Sequence, residues 1–377
     1  MYTTPQDTTP FAPLENPPPA TPPTPDVLRF SFSGETGAFF RIWIVNLLLS
    51  IVTLGIYSAW GKVRTLKYLY GHTRLAGASF DYHGKPLAIL KGRLLIVAVL
   101  VALALADRLT PGLSALLYLV LLPLLPWVVV TAMTFRLRNT SWRQMRFDFR
   151  ARGWDAAGPY LGGLLISVLT LGLALPYVRH WQQQFLVNHA RFGGARFEME
   201  NCVGRYYRVV LKGLLCALLG FVLVGVILGL TSGILAGGMD RDAMTNMPGM
   251  LWLIVAGVVL YLFFLLMWLA IGQVIGDRLA NEVWNHTVLE HDGRRHRFES
   301  TMTLRQLFKL HLGNAFLTLI SLGLLYPYAR LRALRYRLEH LAMYPADDLA
   351  DLRSSPAAGR TALGDAAVDG FELDLGL

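Results

Sequence analysis

Polar side chains stranded inside apolar runs are the first places to look for chemistry in this chain. Asn46 lies in the run Ile42 to Trp60, and Asn314 in Leu310 to Tyr328. An amide in hydrocarbon either hydrogen-bonds to a neighbouring helix or lines a polar site near the bilayer midplane, and these two are the candidate midplane residues. His311, one turn before Asn314, could relay a proton, although Lys309 beside it favours an interfacial place. His72, His189 and His340 each follow a basic segment, where capping or headgroup contact is the ordinary role and metal or proton chemistry the sharper one. Asp277 and Glu282 stand beside Arg278 at a helix end, so an ion pair is expected there. Cys202 and Cys216 have neither the number of a disulfide framework nor the spacing of a metal site. Gly61-Lys62 lacks the earlier glycine and the following Ser or Thr of a phosphate loop, and no HExxH or GxSxG motif occurs. The expectation is therefore no catalytic residue, no cofactor and no metal, with a membrane enzyme ranking behind other functions.

The elements that must carry these residues are membrane helices. Apolar residues make up 54% of the 377, charged residues only 16%, and the mean hydropathy is +0.43. Apolar runs stand at Ile42 to Trp60, Leu94 to Ala106, Leu113 to Phe135, Tyr160 to Tyr177, Leu214 to Gly238, Met250 to Ile275 and Leu310 to Tyr328. Most reach the ~20 residues a helix needs to cross ~30 Å of hydrocarbon. Residues 1–26 are proline-rich without an apolar signal region, and 345–377 are acidic and poor in large apolar groups, so both read as disordered tails around a membrane domain at 27–344. The net charge of +10 gathers just outside the apolar runs, the pattern of loops facing anionic lipid rather than a nucleic-acid footprint.

Sliding the chain along itself exposes a repeat. An offset of about 117 aligns Thr53-Leu54-Gly55 with Thr170-Leu171-Gly172 and His72 with His189, and one of about 268 aligns Asn46 with Asn314 and His72 with His340. Three modules begin near 29, 146 and 297, with helical hairpins 88–135 and 210–275 between them. Each module reads as a strand-like start, an apolar helix, a Thr-Leu-Gly or Ser-Leu-Gly turn and a basic amphipathic helix lying in the membrane interface. Its expected lipid contacts are Trp60, Lys62, Arg64, Lys67, Tyr177, Arg179, Tyr328, Arg330, Arg332 and Arg335; Leu331, Leu334, Leu338 and Leu341 form the apolar stripe of the third copy. Pro176 and Pro327 mark kinks. The pieces "RFSF", "SFDY", "RFDF", "RFEM" and "RFES" place large residues two apart, and "HTRLAG", "NTSWRQ", "NHARFGG" and "NHTVLEHDG" precede four of them, so small cytoplasmic β-hairpins are predicted. Gly225, Gly229, Gly233 and Gly237, every fourth residue, leave a bare helix face for close packing within the monomer, or in a homo-oligomer.

The fold expected is thus an all-α integral membrane protein of about seven apolar helices in three modules. Seven true crossings would put the basic loop 179–212 opposite 62–93 and violate the positive-inside rule. If the module helices enter and return, only the two hairpins cross and every basic loop stays inside; both arrangements are open at this point.

The stretch "FSFSGETGAFFRIWIVNLLLSIVTLGIYSAWGKVRTLKYLYGHT" resembles the opening of the YjgN-like family of bacterial inner-membrane proteins, and "SLGLLYPYARLRALRYRLEHL" its closing part. Ala59 departs from the family's Tyr-x-Pro-Trp form. The resemblance implies a multi-pass protein of the bacterial inner membrane, with the C-terminus expected in the cytoplasm, and implies no activity. Transport or lipid handling is the leading expectation, with membrane lipid as partner, no nucleic acid and an unspecified substrate. A structural or regulatory scaffold binding anionic lipid and envelope partners is the alternative.

Overall fold

The computed structural model describes residues 27–110, 112–238 and 247–346. The expected tails fall outside the described residues, apart from Pro345 and Ala346. Ten short strands are the first departure from expectation: β1 (Leu28–Phe32), β2 (Thr73–Leu75), β3 (Ala78–Tyr82), β4 (Thr140–Trp142), β5 (Met145–Phe149), β6 (Ala190–Phe192), β7 (Ala195–Met199), β8 (Thr287–His291), β9 (Arg294–Ser300) and β10 (Leu341–Tyr344). Each pairs antiparallel with its sequence neighbours, and β10 pairs with β1, which closes the sheet into a barrel. The all-α expectation is therefore wrong. The four predicted hairpins are present, but a lone hairpin leaves two edges of unpaired backbone groups, and here each edge is taken up by the next hairpin. The pairing of β3 with β4 and of β7 with β8 joins residues far apart in sequence, which alternation within a strand cannot reveal. Strands of three to seven residues are shorter than the ~9–11 needed to cross a bilayer, so the barrel does not span one.

Helical inserts leave the barrel at one end. They are α1 (Thr36–Val52) with α2 (Ser58–Gly71); α3 (Pro86–Leu109) with α4 (Leu113–Leu121) and α5 (Leu125–Arg138); α6 (Gly163–Leu169) with α7 (Leu175–His189); α8 (Val203–Gly238) with α9 (Met247–Asn285); and α10 (Leu304–Ile320) with α11 (Tyr326–Glu339). Neighbouring inserts touch in order, with α2 against α3, α5 against the turns before α6, α7 against α8, α9 against α10 and α11 against α1. All five return by one device. The side chain of His72, Asn139, His189, His286 or His340 bonds the carbonyl four residues back, at 2.7–2.8 Å. The carbonyl of the same residue accepts an N–H from just past the entering strand, at Ser33, His83, Arg150, Glu200 and Thr301. These residues thus close the C-terminal ends of the returning helices, His72, Asn139 and His340 as C-caps and His189 as the last helical residue.

Three of the seven expected crossings are hairpins. The run Ile42 to Trp60 breaks between α1 and α2, Tyr160 to Tyr177 between α6 and α7, and Leu310 to Tyr328 between α10 and α11, and each second leg leads back to a strand. The break has one geometry. Leu54, Leu171 and Leu322 have φ near 50°, and Gly55, Gly172 and Gly323 follow at 86–90°, a region where only glycine avoids a Cβ clash. The glycine N–H reaches the carbonyl five residues back at 2.7–2.8 Å. Thr53, Thr170 or Ser321 donates its hydroxyl to the carbonyl four back and accepts the N–H four ahead. One hydroxyl therefore ends the first leg and begins the second, so no water is needed to satisfy either helix terminus. The tip leucines are 93–95% exposed, as befits turns immersed in lipid.

Among the described residues, four helical segments are long and apolar enough to cross a membrane: Pro86–Leu109, Leu113–Arg138, Val203–Ile227 and Gly257–Asn285. They are the two hairpins between the broken inserts. The amphipathic segments α2, α7 and α11 are second legs packed against the first. Leu331 is buried with Phe32, Phe39 and Leu69, and Leu334 and Leu338 pack on the same cluster, while Leu341 belongs to β10. Pro176 and Pro327 open the second legs at the first turn, where a missing N–H costs nothing.

Candidate functional site

The barrel floor is built by the repeated Phe of the entering strands. Phe30, Phe80, Phe147, Phe197 and Phe298 stack in sequence around the inside, ring centroids 6.3–6.5 Å apart. Leu75, Trp142, Phe192, Leu289 and Met343, from the returning strands, join them in one apolar cluster. Two residues beyond each Phe, the buried Phe32, Tyr82, Phe149, Met199 and Ser300 sit beneath the helices. Period-two alternation sends Arg29, Arg74, Arg146, Arg191, Arg196 and Arg297 to the outer face.

Over this floor lies a chamber of about 1160 Å³, larger than the ~300–1,000 Å³ of a drug-sized site. Its walls come from α2, α5, α9, α10 and α11, and it reaches Leu322, Gly323 and Tyr326 at the α10–α11 turn. The lining is largely apolar, and apart from Arg136 of α5 its long polar side chains lie where α9, α10 and α11 meet. There the Asp277 carboxylate, 4% exposed at its side chain, takes His311 Nε2 at 2.7 Å on one oxygen and Arg337 Nη2 at 2.5 Å on the other. His311, Asn314, Arg330 and Arg337 all line the chamber. A carboxylate as buried as that of Asp277 is tolerable only when it is matched, which the buried His311 and the partly exposed Arg337 achieve together.

The predicted residues fare differently. Asn46 and Asn314 are both buried and both tie the legs of a hairpin, Nδ2 donating to Gly61 O at 3.2 Å and to Ala329 O at 3.1 Å. Gly61 lets the legs approach, since an added Cβ would sit 3.1 Å from Asn46 Cβ. Each Oδ1 is buried without a hydrogen-bond partner. Asn314 faces the chamber; Asn46 is not among its lining residues. Around Gly225 and Gly229 an added Cβ would meet no described atom within 4 Å, and the surroundings of Gly233 and Gly237 lie outside the described residues. A close α8–α9 approach falls instead at Gly213, where a Cβ would overlap Ile275.

Trp60 and Lys62 are half-buried; Arg64, Lys67, Tyr177, Arg179, Tyr328, Arg330, Arg332 and Arg335 are exposed on the second legs. They are spread over three inserts and do not converge. Arg335 donates to Gly34 O at 3.0 Å across the seam between α11 and β1.

Sequence reasoning missed the Asp277 cluster. Asp277 was expected beside Arg278, but neighbours on a helix point ~100° apart, and Arg278 turns to Met302 O at 2.7 Å and to Glu282. His311 was expected at the interface and is 6% exposed. The signal available was His311, one turn before Asn314, and the missing piece was Arg337, which no local pattern distinguishes from the other arginines of α11. His180 was also missed. It is 2% exposed and its Nε2 accepts the Cys202 N–H at 3.1 Å. Burial holds its imidazole below the ordinary value, against the Glu200 backbone, with His286 adding to the depression. Burial also pushes the Cys202 thiol up to about 11, so it is a poor nucleophile. Among the described residues no group of three His, Cys, Asp or Glu is placed to hold a metal.

The family described as "Bacterial protein of unknown function (DUF898)" matches residues 27–370. The chain is 26% identical over 340 residues to "Inner membrane protein YjgN" of Salmonella typhimurium (strain LT2), a match covering 80% of this chain and 84% of that one. It is 32% identical over 124 residues to "Inner membrane protein YjgN" of Escherichia coli O157:H7 and of strain K12, about a third of each chain. No solved structure matches. With its four membrane-length helices and a match over nearly the whole of the chain beyond residue 26, this is a membrane protein, and it belongs to the DUF898 family, the YjgN-like proteins that its opening and closing stretches resemble.

Proposed function

We propose that this protein takes a membrane amphiphile sideways from the bilayer and holds it in the chamber over the aromatic floor. The carrying observation is the chamber itself: about 1160 Å³ running from the exposed Leu322 turn to Phe147 and its neighbours, with most of its polar side chains on α9, α10 and α11 and Arg136 on α5. An apolar enclosure that reaches a lipid-facing turn suits a chain entering from hydrocarbon, and a walled-off polar cluster suits its headgroup. The relatives' names support the bacterial inner membrane as its place. The basic strands and the arginines at the helix ends support a cytoplasmic barrel, and with it a cytoplasmic C-terminus. The shared offsets and the five equivalent helix ends, four closed by His and one by Asn139, support reading the inserts as variants of one repeated unit, three shortened to dips and two extended to spans.

The test is occupancy. Protein extracted in mild detergent should carry co-purified lipid in native mass spectrometry, and Ala315→Trp, which fills the chamber from a lining position, should shed it while remaining folded. Equal lipid retention by the filled variant refutes the proposal.

A further inference from the structure

The amphiphile reading says nothing of headgroup; resting on it, we propose that Asn314 selects a phosphodiester headgroup carrying an N–H or O–H donor, ethanolamine or glycerol rather than choline. The amide orientation is set by its bond to Ala329 O at 3.1 Å, which commits Nδ2 as the donor and leaves Oδ1 as an acceptor. That oxygen is buried, unpartnered and part of a residue lining the chamber. A buried acceptor in this state lacks a bond that a ligand donor restores.

The same wall supplies cationic donors. Arg337 keeps one Nη on Asp277, while its Nε is buried without a partner, and Arg330 lines the chamber as a second guanidinium. Asp277 is covered on both oxygens by His311 and Arg337, so it presents no bare anion to repel a phosphate. An acceptor and guanidinium donors lining one chamber are the complement of an anionic phosphodiester with a donor on its far side. Phosphocholine offers the phosphate but no donor, and would leave Asn314 Oδ1 unpaired.

Asn46 provides an internal control. It makes the equivalent hairpin bond and has an equally unpaired Oδ1, but it lies outside the chamber lining. If the unpaired oxygen were only a trait of the hairpin, the two asparagines would behave alike.

The experiment incubates the purified full-length protein in mixed micelles with equal amounts of phosphatidylethanolamine and phosphatidylcholine, or of phosphatidylglycerol and phosphatidylcholine, and counts retained lipids by native mass spectrometry. The wild type is expected to prefer one or both donor-bearing lipids by about tenfold, which corresponds to ~1.4 kcal/mol. Asn314→Leu should bring that ratio close to one with total lipid unchanged, and Asn46→Leu should leave it intact. Preference in one arm alone identifies the donor as ammonium or hydroxyl. Equal retention of all three lipids by the wild type overturns the inference and leaves the chamber reading standing, whereas an empty wild-type protein overturns the chamber reading. Loss of preference in Asn46→Leu as well assigns the effect to hairpin structure and also overturns the inference. Preference retained in Asn314→Leu overturns the inference as well, and if that variant fails to fold the milder Asn314→Ala is read in its place with the same expectation.

Discussion

Removing Asp277 is the most discriminating perturbation of the chamber wall. In Asp277→Ala the His311 ring, 6% exposed at its side chain, loses its 2.7 Å partner, and Arg337 loses its 2.5 Å contact. Stripping one member from a buried charge pair costs roughly 3–5 kcal/mol, because the remaining charge stays buried and unmatched. The Arg337 side chain is 41% exposed, so water recovers part of its share, and the lower end of that range is expected. Asp277→Asn keeps the shape and a hydrogen-bond acceptor but removes the charge, so about 1–2 kcal/mol is expected, the difference between a charge-assisted and a neutral bond. Replacing both charges, as in Asp277→Leu with Arg337→Met, should return much of the alanine loss, since the cost arises from isolation of the remaining charge rather than absence of the pair. The assay is thermal unfolding of the detergent-solubilised protein followed by tryptophan fluorescence. Equal destabilisation by the alanine and asparagine variants, or a loss below ~0.5 kcal/mol in both, would refute the reasoning.

Thr170→Val removes the hydroxyl that bonds Ile166 O and Ala174 N–H, so a loss of ~1–3 kcal/mol is expected in thermal unfolding, and Gly172→Ala, at φ 86°, should cost about as much through strain. His180 is held below its ordinary value by burial, so its contribution is present in full above pH ~6.5 and is lost as pH falls through its lower folded value; unfolding between pH 7 and 5 should show a destabilisation that His180→Gln abolishes. Cysteines placed at Arg191 and Arg295, on β6 and β9, should resist an impermeant maleimide in intact cells and react after lysis, and labelling from outside would place the barrel on the wrong side.

Much of the local structure is legible in the chain. Alternation in "RFSF", "SFDY", "RFDF", "RFEM" and "RFES" marks all five entering strands, and the Thr-Leu-Gly and Ser-Leu-Gly turns stand where the helices break. His72, His189 and His340, left between capping and headgroup contact by the sequence, each bond the carbonyl four residues back at a helix end, a contact that depends on local sequence alone. Among the described residues the four membrane-length helices fall on long apolar runs of the sequence, because hydrophobic length is a property of contiguous sequence. The all-α assignment failed because a strand of three residues carries almost no signal until its partner is known.

Chain order and composition determined the membrane helices, the turn chemistry and the inward set of apolar strand residues, all of which depend on neighbours within one or two helical turns. Only the tertiary structure decided that five strand pairs close into one barrel, that three apolar runs return instead of crossing, and that Asp277, His311 and Arg337 meet on one wall. Those outcomes rest on pairing edges and matching charges between segments dozens of residues apart, where the free energy belongs to the contact and neither partner alone displays it.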